Sequence, residues 1–65
     1  MVWYFTFGLD HKFGKRYVKI EGDSEFARKV MFDTFGNKWC AQYSEKKWAE
    51  LKDKYFSDLT ELKLD

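Results

Sequence analysis

Proline is absent from this sequence, cysteine and histidine occur once each, and no apolar run is longer than Met1 to Phe5. Each shortage excludes something. A lone Cys40 cannot form a disulfide within the chain. Together with His11 it supplies two of the four ligands that a structural zinc needs, so no metal is expected. A membrane-spanning helix requires about 20 apolar residues, so no membrane association is expected. The first residues carry neither a basic n-region nor a small-residue cleavage site, so no signal peptide is expected. A free thiol with no disulfide framework suits a reducing cytoplasm. Charge of one sign is lacking too, with 12 basic and 11 acidic residues and a net charge of +1. That balance gives no global attraction to nucleic acid or an anionic membrane.

What the chain does have is aromatic side chains, which make up 22% of its 65 residues. A length of this order is read as one domain over residues 1–65. So small a domain buries only about 60% of the surface its unfolded chain exposes. It must compensate with dense packing or a partner chain. Large rings, at roughly 150–250 Å² of buriable surface each, are suited to both.

Taken in order, residues 2–7 are aromatic and β-branched and predict a strand, with Trp3, Phe5 and Phe7 on one face and Val2, Tyr4 and Thr6 on the other. Both faces are apolar, which points to a central strand. Residues 8–16 carry turn residues and are long for a hairpin loop, with Gly8 and Gly14 marking the strand ends and a bulge or wider turn between them. Residues 17–21 alternate, with Val18 and Ile20 inward and Tyr17, Lys19 and Glu21 outward. Asp23 or Ser24 is suited to cap a helix that runs to Phe35 and stops at Gly36. Its apolar stripe is Phe26, Ala27, Val30, Met31 and Thr34, with Phe32 on the opposite side. Residues 38–43 predict a short strand with Trp39, Ala41 and Tyr43 on one side and Lys38, Cys40 and Gln42 on the other. Ser44 caps a second helix that buries Trp48, Leu51 and Tyr55, with Phe56 at its frayed end. Glu25–Lys29 and Glu50–Lys54 are spaced as helical ion pairs. Residues 58–64 predict a closing strand with Thr60, Leu62 and Leu64 inward. The expected architecture is α+β, in the order β-β-α-β-α-β, with both helices on one face of a small, mostly antiparallel sheet.

Catalysis has little to work with. A cysteine nucleophile needs a base within hydrogen-bond reach and a third group to orient it, and only Cys40 and His11 are at hand. A strand cysteine is more commonly a buried structural thiol. Gly8 and Gly14 match no phosphate-binding fingerprint. The expectation is a protein that is not an enzyme and uses no cofactor. Residues 11–16 hold the local concentration of positive charge, beside Phe13 and Tyr17. They suggest an alternative role as a nucleotide- or nucleic-acid-binding module. Exposed rings on regular elements, read as Phe32, Tyr4, Tyr17 and Phe56, mark protein interfaces instead. The candidate partner contacts are Phe32, Tyr17, Lys12, Lys15 and Arg16, with a homodimer as a second expected association.

Trp3-Tyr4-Phe5-Thr6-Phe7-Gly8, His11, Tyr17-Val18 with Ile20, Ala27-Arg28, Phe35-Gly36 with Lys38-Trp39, and Gln42-Tyr43-Ser44 together form a pattern. It resembles small proteins encoded by phages and prophages of low-GC Gram-positive bacteria. The resemblance spans nearly the whole chain and rests on architectural positions, so it carries over no catalytic residue. It implies an accessory phage protein in the host bacterial cytoplasm. Such a protein binds and disables a host enzyme or an anti-phage defence complex, a CRISPR effector or a nucleotide-signalling system among them.

Overall fold

The aromatic run at the start of the chain forms β1 (Val2–Phe7), and the other strands assemble around it. In the computed structural model, which describes residues 1–8 and 10–63, β1 is followed by β2 (Arg16–Glu21), α1 (Ser24–Phe35), β3 (Trp39–Ser44), α2 (Glu45–Tyr55) and β4 (Thr60–Glu61). The sheet order is β3-β1-β2-β4. β1 pairs antiparallel with both β2 and β3, while β4 pairs parallel with β2. The α+β class, the β-β-α-β-α-β order and the central place of β1 are as the sequence predicts. The closing strand is shorter than expected: Thr60 is exposed, Leu62 packs on the core, and Leu64 lies outside the described residues.

The two helices do not share a face of the sheet. The register aligns Phe5 with Val18, and Tyr4 with Lys19 and Tyr43, so these two sets project to opposite sides. Ala27 and Met31 of α1 close over Phe5, Phe7, Val18 and Ile20. Trp48 of α2 instead lies flat on Tyr4, ring centroids 4.9 Å apart. Topology supplies the reason. Strands β2, β3 and β4 run in one direction. The chain crosses from β2 to β3 through α1 and then back from β3 to β4 through α2. Two crossings of one hand in opposite directions must use opposite faces, and parallel crossovers are overwhelmingly of one hand.

Local chemistry fixes the element ends. Asp23 is the N-cap of α1, its carboxylate accepting from the Phe26 N–H at 2.7 Å. Gly22 before it has φ 139°, and a Cβ there would meet the Phe26 ring at 2.7 Å. Gly36 closes α1 at φ 68°, its N–H bonding the Phe32 carbonyl at 2.9 Å. Ser44 caps α2 by accepting from the Lys47 N–H at 3.3 Å.

Several side chains depart from the simple periodic pattern. Between Thr6↔Ala41 and Phe7↔Trp39 the register slips by one residue. Cys40 is the extra residue of this β-bulge. The bulge turns Trp39 away from Ala41 and Tyr43 and toward the α1 side, where its ring meets Phe5 edge-on at 5.2 Å. It also leaves Cys40 exposed rather than buried. Phe26 and Thr34 of the predicted α1 stripe are exposed, as is Tyr55 of α2. Phe35 is packed against the core instead. Phe56 is no frayed end: it stacks on Trp48 at 5.1 Å. Lys29 pairs with Asp33 at 2.8 Å, one turn later, rather than with Glu25. It is the one ion pair among the described residues, so Glu50 and Lys54 form none.

Candidate functional site

The loop between β1 and β2 is built from consecutive turns. The N–H groups of His11, Gly14 and Arg16 donate to the carbonyls of Gly8, His11 and Phe13 at 2.8–2.9 Å. The Phe13 N–H donates to His11 Nδ1 at 3.0 Å. An accepting Nδ1 places the proton of the neutral imidazole on Nε2. The His11 ring lies against Phe7 at 5.0 Å, and Phe13 and Phe35 meet edge-on at 5.9 Å. Four rings thus pin the loop to the C-terminal end of α1.

That contact leaves an open cleft of about 580 Å³, lined by Asp10, His11, Lys12, Phe13, Thr34, Phe35 and Lys38. Lys12 is exposed, its ammonium 5.1 Å from the centre of the Phe13 ring. One turn of α1 before the cleft is Phe32, 49% exposed. Its ring is held edge-on to Trp39 at 5.6 Å. Phe32 and Lys12 therefore belong to one end of the molecule, where the last turns of α1 meet the 10–13 turns.

The other three predicted contacts lie elsewhere. Tyr17 is covered by α2, 5.0 Å from the Trp48 ring and 6.0 Å from Tyr4. It sits on the face opposite Val18, and the second helix claims that face. Arg16 is a sheet-closing residue: its Nη2 donates to the Glu61 carbonyl at 2.8 Å and fastens β4 to β2. Its Nε is buried with no partner among the described residues. Lys15 is exposed beside a second cavity of about 410 Å³, whose walls include Cys40, Tyr43, Tyr55, Phe56 and Leu59. The basic run 11–16 is thus divided between two sides of the molecule. Cys40 and His11 line different cavities, so the structure does not assemble them as a nucleophile and base. Among the described residues, no three of His, Cys, Asp and Glu converge as metal ligands. No helix there is long and apolar enough to cross a membrane.

Lys38 and Trp39 were missed as site residues because they belong to the connection after α1, distant in sequence from Lys12. The signal was Gly36: a helix stop two residues before a lysine delivers that lysine to the helix end. Hydrogen bonding to Asp33, and then its charge, raises Lys29 above the usual lysine value. Comparison with known proteins finds no matching family model, no similar curated protein and no similar solved structure.

Proposed function

We propose that the chain is a small phage-type accessory protein that binds a bacterial host factor and inhibits it stoichiometrically, its target being an anti-phage defence component. The observation that carries this reading is the Phe32 ring, half exposed yet held by Trp39. An aromatic side chain already fixed in place loses little conformational freedom on binding, and such residues dominate interface energetics. Lys12 and Lys38 line the cleft one helical turn further on and supply a charged rim suited to an acidic protein surface. The phage context comes from the sequence resemblance.

The test is phage plating on a strain that carries a defence system and expresses the protein. Wild type is expected to restore plating, and Phe32→Glu to abolish it at unchanged expression. Full activity of Phe32→Glu across a panel of defence systems contradicts the reading. A second reading draws support from the cleft, where Lys12 and Lys38 stand beside His11, Phe13 and Phe35. Bases stack on rings while lysines meet phosphates, which suits a nucleotide or a single strand. Asp10 and the carbonyl end of α1 face the same cleft and oppose an anion, so this reading ranks second. It requires binding that weakens steeply with salt and falls in Lys12→Ala/Lys38→Ala.

A further inference from the structure

The two edges of the sheet are finished differently. At the β4 edge, β4 reaches only Arg16 and Tyr17. The uncovered part of β2 carries Lys19 and Glu21, which share a depression with Glu61 and Lys63. A very short strand and a row of charges are devices that keep another strand from adding to an edge. The β3 edge has neither. Its six residues, Trp39 to Ser44, include no charged side chain and no proline. The bulge at Cys40 blunts only its first step and leaves Ala41 to Ser44 in regular register.

The hydrogen bonds show which groups this edge presents. The Gly22 N–H donates to the Met1 carbonyl at 2.7 Å, and Val2 aligns with Glu21. Antiparallel bonding alternates along a strand, so the odd residues of β1 bond to β2 and the even ones to β3. Tyr4 and Thr6 face Tyr43 and Ala41, whose N–H and C=O groups are therefore used inside the sheet. Gln42 lies between them and turns both of its backbone groups outward.

We propose that this edge pairs antiparallel with β3 of a second copy, about a two-fold axis through Gln42. In a two-fold pair the strand meets its own reverse, so any charge near the axis would face its like. An uncharged strand is self-compatible, and Gln42 can exchange both backbone bonds with its counterpart. Ala41 then lies opposite Tyr43 of the second copy. The product is a continuous eight-stranded sheet whose outermost strands are both β4, the blunted edge. The pairing removes the bare edge and leaves the protected one outside. This inference is independent of the inhibitor reading, because sedimentation tests one and plating the other.

Sedimentation equilibrium of the wild-type chain is expected to give a dimer. Gln42→Lys and Gln42→Glu each give up the bond from Gln42 Nε2 to Ser24 Oγ at 3.1 Å, bring like charges together near the axis and weaken the dimer about tenfold or more. Mixing the two variants restores it as a heterodimer. A substitution that merely unfolds the chain would not recover on mixing. Cys40→Ser/Gln42→Cys is expected to oxidise to a disulfide-linked dimer, because facing residues of a bonded pair have Cα atoms about 5.5 Å apart, within disulfide range. Wild-type Cys40 stays unlinked under the same conditions, being two residues from the axis in each copy. A monomer at millimolar concentration overturns the proposal, as does a dimer indifferent to both charge variants or one that crosslinks through Cys40. A chain that stays monomeric and accepts a foreign strand along β3 overturns it as well.

Discussion

The two faces of the sheet close in different ways. Under α1 the centre of the core is sealed, with no exposed surface on Phe5, Val18, Ala27 or Met31. Under α2 one side chain does most of the closing. Trp48 is in contact with Tyr4, Tyr17, Tyr43 and Phe56, at centroid distances of 4.9–5.9 Å, and those four rings remain partly exposed at their edges. The first face is a core of aliphatic and phenylalanine side chains, whereas the second is a cluster of rings around Trp48, with Tyr4 and Phe56 stacked on it and Tyr17 and Tyr43 tilted against it. A chain of this size covers two faces only by devoting most of its rings to the task. Phe32 is left among the few that neither core holds fully, along with Phe26 and Tyr55.

This contrast can be broken from either side. Phe5→Ala removes a fully buried ring at the centre of the sheet and should destabilise by about 4 kcal/mol. In urea denaturation that variant is expected to lose both faces together, because Phe5 and Tyr4 share one strand. Trp48→Ala should cost about 3 kcal/mol. Its effect should concentrate on α2, with amide exchange accelerating across residues 45–55 while β1, β2 and α1 keep their protection. Uniform acceleration would show that the two faces form one cooperative core. Asp23→Ala removes the α1 cap and should cost about 1 kcal/mol. The shorter bond at Asp23 predicts a larger loss there than for Ser44→Ala, read from the same denaturation curves.

Smallest of all is the Lys29–Asp33 pair, which is exposed on both sides. Because the Lys29 value is raised in the folded state, its contribution is present below the unfolded lysine value and is lost as pH rises through the folded one. Asp33→Asn should therefore leave the denaturation midpoint at neutral pH within error, while NMR titration shows Lys29 returning toward the ordinary lysine value.

Much of this architecture was legible in the residues. Strand alternation and the helix-end residues are local signals: Gly36 and Ser44 each placed a helix end, the structure chose Asp23 of the two caps offered for α1, and the closing strand came out shorter than its alternation suggested. Long-range facts were not legible. No local pattern distinguishes helices on one face from helices on two, because that follows from strand order, and order depends on contacts far apart in sequence. Tyr17 shows the consequence. Its alternation with Val18 was read correctly, but calling its side outward assumed that only one face is covered. Trp39 illustrates a second gap, since a one-residue bulge reverses the side on which every residue beyond it projects. For the candidate site, Lys12 and Phe32 kept the exposure expected of them. Lys38 and Trp39 joined them only through folding.

The central claim is that Phe32 is a ring the fold does not need. Measuring Phe32→Ala for stability and for protection of a plated phage, on the same preparation, tests it most directly. The account predicts a stability change of about 0.5 kcal/mol, the scale of one exposed aromatic contact, together with loss of protection. A loss of several kcal/mol with protection intact would place Phe32 in the core and contradict the account.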